Sequence, residues 1–157
     1  TPQNIVIGGV AGALPPVIGW TIATNTISLE PFTLFLIIFF WTPSHFWALS
    51  LYKADDYKKA KIPMLPLTDG IEKTKVHIFI YSLLMLPVIT FPYLISFSGL
   101  IYFIPVLLLT IYYIFICFDL YKDKKNKFDL KKAKKVFSYS ILYLFLIFVL
   151  FLIDSLI

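Results

Sequence analysis

The sequence predicts an all-α fold, a multi-pass bundle of about five membrane-crossing helices forming a single membrane domain over 1–157. Three observations carry that expectation. Hydrophobic residues make up 59% of the chain and charged residues 15%, against roughly 45–50% and about 25% in soluble domains. Mean hydropathy is +0.85. Uncharged runs of about 20 residues recur, each long enough to cross a hydrocarbon core of about 30 Å. These features exclude a soluble enzyme, a disordered tail and a disulfide-stapled secreted domain. The single cysteine, Cys117, lies inside an apolar run and has no partner.

Five runs are free of Lys, Asp and Glu: 5–24, 31–52, 76–97, 100–118 and 136–153. Helices satisfy their own backbone hydrogen bonds in lipid, whereas strands do so only in a closed barrel. Barrel strands are also about half as long and alternate in polarity. The connections are unequal. Residues 25–30 carry no Lys, and Ser98-Gly99 is a tight turn, whereas 53–75 holds six Lys and 119–135 the other eight. With five spans both basic loops fall on one side, which the positive-inside rule makes cytoplasmic or its topological equivalent. The net charge of +5 is thereby explained at a membrane surface, with no nucleic acid partner. No repeat or low-complexity linker marks a second domain, and no basic segment ahead of the first span suggests a signal peptide.

The first span reads NIVIGGVAGALPPVIGW. Gly8, Gly12 and Gly19 fall near one helix face with Asn4 a turn earlier, a spacing that lets helix backbones approach in lipid. Pro15-Pro16 removes donors mid-span and predicts a kink. The plain reading is tight packing; the functional one is a bent wall beside a cavity. Pro87, Pro92 and Pro105 predict further kinks, and His77 opens the third span as an interfacial surface residue.

The end of the second span, WTPSHFWALSLYKADDYKKAKIPMLP, is the most informative stretch. Trp41, His45, Leu49, Tyr52 and Asp56 share one stripe if the helix runs that far past Pro43. A histidine inside a span is costly and marks a functional site by default; the alternative is a neutral histidine hydrogen-bonded to a neighbouring helix. Asp55 and Asp56 stand where the chain leaves the membrane, among Lys53, Lys58 and Lys59. Such a group is either a solvated, salt-bridged loop or a holder of Mg²⁺, which takes one or two carboxylates and completes its shell with water and phosphate oxygens. The two prolines of IPMLP fix an extended apolar re-entry that a solvated loop does not need. The second basic loop, DLYKDKKNKFDLKKAKK, reads as an anchor for anionic lipid headgroups.

TPQNIVIGGVAGALPPVIGW and FWTPSHFWALSLYKADDYKKAKIPMLP, with the spacing between them, resemble the UbiA-type intramembrane prenyltransferases, specifically their haem-farnesylating branch. The resemblance covers essentially the whole chain. It implies an all-helical fold of about nine spans, each of roughly 20 residues, around a central cavity, with two acidic motifs holding Mg²⁺ and a prenyl diphosphate. It also implies that farnesyl diphosphate and haem B give haem O and diphosphate in an inner membrane, bacterial or mitochondrial. Haem A synthase or terminal-oxidase assembly factors would be neighbours.

Asp55 and Asp56 fall at the second acidic motif, where Asp56-Tyr57 is the better match, and His45 matches a family histidine. On that footing Asp55 and Asp56 are expected to hold Mg²⁺, and Lys53, Lys58 or Lys59 the diphosphate. Trp41, Trp47, Tyr52 and Tyr57 are expected to face the carbocation or the acceptor, with His45 as haem ligand or as partner of a quenching water. Ser44 stands where the family has a second proline. The first acidic motif is absent, as are roughly four spans of about 20 residues each, so the chain is expected to be the C-terminal half; Thr1 in place of Met agrees.

Three other readings compete. Another prenyltransferase of this type would act on a quinone precursor or a chlorophyll-type acceptor. A transporter or channel subunit would place its ionic site near the midplane, where this chain has no acidic residue. An assembly partner would bind haem without Mg²⁺.

Overall fold

The computed structural model describes residues 3–123 and 129–157. Lys124, Lys125 and Lys127 of the second basic loop lie outside the described residues. The elements run α1 (Asn4–Ala13), α2 (Pro15–Thr24), α3 (Leu29–Tyr52), α4 (Ala54–Lys59), α5 (Leu65–Thr68), α6 (Ile71–Leu94), α7 (Leu100–Tyr121) and α8 (Leu130–Ser155). Among the described residues, five segments are long and apolar enough to cross a membrane: Asn4–Thr24, Leu29–Tyr52, Ile71–Leu94, Leu100–Tyr121 and Leu130–Ser155. All-helical architecture and five spans are as expected.

Two spans begin earlier than the uncharged runs do, because the helices continue into charged sequence. α6 starts at Ile71, behind Gly70 with φ 88°, and takes Lys73 and Lys75 into its first turns. α8 starts at Leu130, where the Asp129 carboxylate accepts from the Lys131 N–H at 2.8 Å and caps the helix.

The expected break at Pro15-Pro16 is present. α1 ends at Ala13, and α2 restarts with prolines in its first turn, where their missing N–H groups cost no helical bond. α2 then closes on Asn25 in the left-handed conformation (φ 57°). Pro43, Pro87, Pro92 and Pro105 all lie inside helices that continue past them. Around Pro43, the Thr42 hydroxyl donates to the Ile38 carbonyl at 2.7 Å and the Ser44 hydroxyl to that of Trp41 at 3.0 Å.

α3 is the hub of the bundle. It packs on α1, α2, α6 and α8, while α7 bridges α6 and α8. Half of its most apolar window is buried (50%) against 11% for the α1–α2 span. Interhelical polar contacts tie these packings together. The Ser44 and Tyr113 hydroxyls meet at 2.8 Å, as do those of Thr110 and Tyr143, and the Trp41 indole N–H donates to the Ser140 carbonyl at 2.9 Å. Such bonds stabilise membrane bundles by about 0.6 kcal/mol on average.

The glycine face is corrected by the structure. Gly8, Gly12 and Gly19 have nothing within 4 Å of where a Cβ would stand, whereas one on Gly9 would meet Thr42 Cγ2 at 3.3 Å. Gly9 therefore carries the close approach of α1 to α3, and Gly8 and Gly12 line an open groove.

The two ends of the bundle are set by different contacts. At one end, buried Lys75 pairs with Glu72 at 2.9 Å and donates to the Asp123 carbonyl, while Lys132 pairs with Asp119 at 2.9 Å. The basic segments thus share that end. At the other, the Asp154 carboxylate accepts from the Gly99 and Tyr102 N–H groups at 2.6 and 3.2 Å. One side chain at the end of α8 caps the start of α7, where orphan N–H groups and the helix dipole favour negative charge. Asp154→Ala should lower stability by about 1 kcal/mol, read as a drop in thermal unfolding temperature in detergent, with Asp154→Asn losing less.

Candidate functional site

The C-terminal half of α3 builds the site. Residues four apart on a helix stack along one face, and Trp41 and His45 do so, with ring centroids 4.2 Å apart and 20° between planes. From α8, Phe137 covers the other imidazole face at 4.7 Å. Tyr52, a further two turns along α3, meets the same Phe137 edge-on at 5.7 Å. The stripe Trp41–His45–Tyr52 is thus real, and Phe137 knits it. The His45 Nδ1 lies 2.6 Å from the Ser140 hydroxyl on α8.

Asp56 does not continue that stripe. α3 stops at Tyr52, Lys53 leaves helical geometry (φ −109°, ψ 22°), and Asp55 and Asp56 open the one-and-a-half-turn α4. The physical reason is local: the Lys53 N–H still bonds to Leu49, but α4 re-nucleates from the Lys53 carbonyl, which accepts from Asp56 and Tyr57. Both carboxylates are exposed. Asp56 pairs with Lys53 at 3.1 Å, and Asp55 has no ion pair among the described residues. Lys58 and Lys59 are exposed beside them. Tyr57 is half-buried, and burial, with Tyr52 nearby, holds its phenol above the usual value. It stays protonated and can donate.

Past α4, Lys61 takes the left-handed conformation (φ 55°) and Met64 is extended (ψ 148°). Met64 and Leu65 are fully buried, so IPMLP does dive back into the bundle, as its prolines suggest. The Asn4 amide of α1 reaches the Met64 sulfur at 3.7 Å. Downstream, the Lys73 ammonium holds the Asp69 carboxyl below the usual carboxylate range at 2.8 Å, which pins the start of α6.

Trp47 is a correction. Two positions past His45 on the helix, it faces the other way, fully buried with its ring edge-on to His77 at 5.5 Å and Tyr81 at 5.3 Å. Its indole N–H has no partner among the described residues. It is core between α3 and α6. His77, expected at the surface, is half-buried against it.

Between α1 and α8, α3 floors a cleft. One side, about 380 Å³, is lined by Asn4, Gly8, Gly9, Gly12, Trp41 and Phe46 among others. The other, about 350 Å³, is lined by Trp41, His45, Ile141, Leu144, Phe145 and Phe148. Trp41 stands between them. Sequence reading missed Ser140 and Phe137, which position His45 from 95 residues away in the case of Ser140; a polar residue in the fifth span was visible, its partner was not.

A membrane-embedded helical bundle with an uncharged aromatic cleft beneath a rim of carboxylates and lysines is the class these features define. The sequence carries the assignment further: residues 1–142 match the UbiA prenyltransferase family, and the chain belongs to that family. It is 75% identical over 99% of its length to a protein from Pelagibacter ubique named protoheme IX farnesyltransferase, covering 51% of that protein. Proteins of the same name from Parvibaculum lavamentivorans and Neorickettsia sennetsu are each 48% identical over 99% of the chain, with 49% of each covered. The chain thus spans about half the length of the curated relatives it matches. No solved structure matches it.

The Lys53–Asp56 pair is exposed on both sides (53% and 62%), and exposed pairs are worth about 0.2–1 kcal/mol. Lys53→Met should therefore leave the thermal unfolding temperature nearly unchanged, and a large drop would show that the pair holds α4 in place.

Proposed function

We propose that the chain serves the transfer of a farnesyl group from farnesyl diphosphate to the vinyl group of haem B, giving haem O and diphosphate. The observation that carries this reading is the succession, along the chain, of an uncharged aromatic cleft on the middle of α3 and an exposed acid-and-lysine rim on the α4 that follows it. It is supported by the names of the relatives. An amphiphilic diphosphate needs both: charge at the water face, and a dry wall for its hydrocarbon.

The donor set at α4 fits Mg²⁺. Asp55 and Asp56 offer hard oxygen ligands in a solvated place, where coordination requires no buried charge. Among the described residues no group of three His, Cys, Asp or Glu could hold a metal alone. A two-carboxylate holder leaves the rest of an octahedron to water and phosphate oxygens, which is the usual pattern for Mg²⁺ at phosphate substrates. When bound, Mg²⁺ neutralises charge on the departing diphosphate.

Lys58 and Lys59 extend that neutralisation from the same short helix, and Lys53 holds the approach. The C–O bond of farnesyl diphosphate breaks with its electron pair leaving on the diphosphate. The allylic cation then meets Trp41, Tyr52 and Tyr57, whose ring faces attract it. Trp47, turned into the core, takes no part. The vinyl carbon of haem forms the new C–C bond, and water adds to the resulting cation and loses a proton, leaving a hydroxyl. His45 faces the acceptor side of the cleft. On this reading the rim faces the cytoplasm at an inner membrane, the side that the positive-inside rule gives to both basic segments.

Asp55→Asn and Asp56→Asn in the full-length protein should each lower haem O formation by about a hundredfold or more, and EDTA should silence the wild type. Trp47→Phe should leave turnover unchanged. Haem O formation that survives both EDTA and the paired Asn variants would remove the rim from the reaction.

A further inference from the structure

Both faces of the His45 imidazole are covered, by Trp41 at 4.2 Å and Phe137 at 4.7 Å. The ring can act only through its edge. One edge atom, Nδ1, lies 2.6 Å from the Ser140 Oγ. That same Oγ lies 2.6 Å from the Phe137 carbonyl oxygen one turn back on α8. A carbonyl oxygen only accepts, so a contact this short requires the hydroxyl proton between the two oxygens. Serine has one such proton. Toward His45, Ser140 can therefore only accept, and Nδ1 must donate.

A neutral imidazole protonated at Nδ1 carries its free electron pair on Nε2. Nε2 has no hydrogen bond among the described residues, and it is not among the buried polar atoms without a partner. His45 lines the cleft of about 350 Å³ whose other walls are Trp41 and the α8 residues Ile141, Leu144, Phe145 and Phe148. The Trp41 indole N–H, bonded to the Ser140 carbonyl at 2.9 Å, fixes the ring stack to the same turn of α8. Metal-bound histidines almost always donate their second ring N–H to a fixed acceptor, which sets tautomer and orientation.

We propose that Ser140 is a positioning residue that locks His45 as the Nδ1–H tautomer and so presents the Nε2 electron pair to the cleft as a ligand for the iron of the haem substrate. The iron-ligand half rests on the haem reading above; the tautomer half does not. Ser140 touches no substrate and acts through His45.

The test uses full-length protein with ¹⁵N-labelled histidine in lipid nanodiscs, with nitrogen–proton correlation spectra at one fixed alkaline pH and His45→Gln to assign the signal. The expected pattern is Nδ1–H, the tautomer a histidine in water populates less. Ser140→Ala should return His45 toward Nε2–H, and Ser140→Thr, which keeps the hydroxyl, should retain the wild-type pattern. An Nε2–H signal in the wild type overturns the proposal whatever the protein binds.

Titration with ferric haem B, without farnesyl diphosphate, reads the second half. Ser140→Ala should weaken binding about 10- to 100-fold and shift the Soret band as His45→Ala does. An unchanged band in His45→Ala overturns the iron ligand and leaves the tautomer lock standing. Absence of any haem binding by the wild type overturns the functional reading instead.

Discussion

Lipid supplies no hydrogen-bond partner, so backbone polar groups within the spans must be satisfied inside the protein. Most side-chain hydroxyls here follow suit, the buried Trp20 and Trp47 indoles being without a partner among the described residues. That constraint decides how this bundle is put together. Threonine and serine hydroxyls along α3, α6, α7 and α8 bond back to carbonyls a turn away, or across to a neighbour, as Ser44 does to Tyr113 and Thr110 to Tyr143. Pro43 takes a donor away from the most heavily packed helix, and the hydroxyls flanking it lie at the same turn. The His45–Ser140–Trp41 group obeys the same rule. Its indole and hydroxyl go to backbone carbonyls and its Nδ1 to the hydroxyl, which leaves one nitrogen over.

The same constraint separates charge from the cleft by depth. A carboxylate or ammonium at the bilayer centre costs about 2.5–3.5 kcal/mol even on lenient scales. Asp55, Asp56, Lys58 and Lys59 all follow the break at Lys53, and no charged residue lies on α3 between Pro31 and Tyr52. Helix geometry changes where solvent begins. Had α3 run on unbroken, Asp56 would lie on the His45 stripe, about 11 residues or roughly 16 Å beyond it; the break lets the carboxylates turn independently of the aromatic wall.

Much of this was legible in the sequence because it follows from composition over long windows. Charge-free runs located five spans, and the Lys distribution placed both basic loops at one end. Span starts were misjudged where a helix continues through charged sequence, at Ile71 and Leu130, since hydropathy marks the lipid boundary and not the hydrogen-bond ladder. The glycine face failed for another reason. Gly8 and Gly12 share a side of α1 by their four-residue spacing and Gly19 lies on α2, but which side meets α3 is a tertiary fact, and Gly9 meets it. Trp47 was legible and misread: at about 100° per residue it stands roughly 200° from His45, while Trp41 stands within about 40° of it. Ser140 was beyond reach, because the fifth span also holds Ser138, Tyr139 and Tyr143, and only packing selects among them.

What remains is why the cleft is where it is. α1 and α8 both pack on α3, but among the described residues substantial packing joins α1 only to α2 and α3, and α8 only to α3 and α7. Toward the other end of the bundle the gap is bridged by rings: Trp20 of α2 meets Phe97 at 5.8 Å, which meets Phe151 of α8 at 5.6 Å. At the Lys-rich end α1 is held instead to the re-entrant Met64. The two halves of the span, interrupted at Leu14 ahead of Pro15-Pro16, thus make one attachment each. Between these attachments the floor of α3, with Trp41 and His45, stays open.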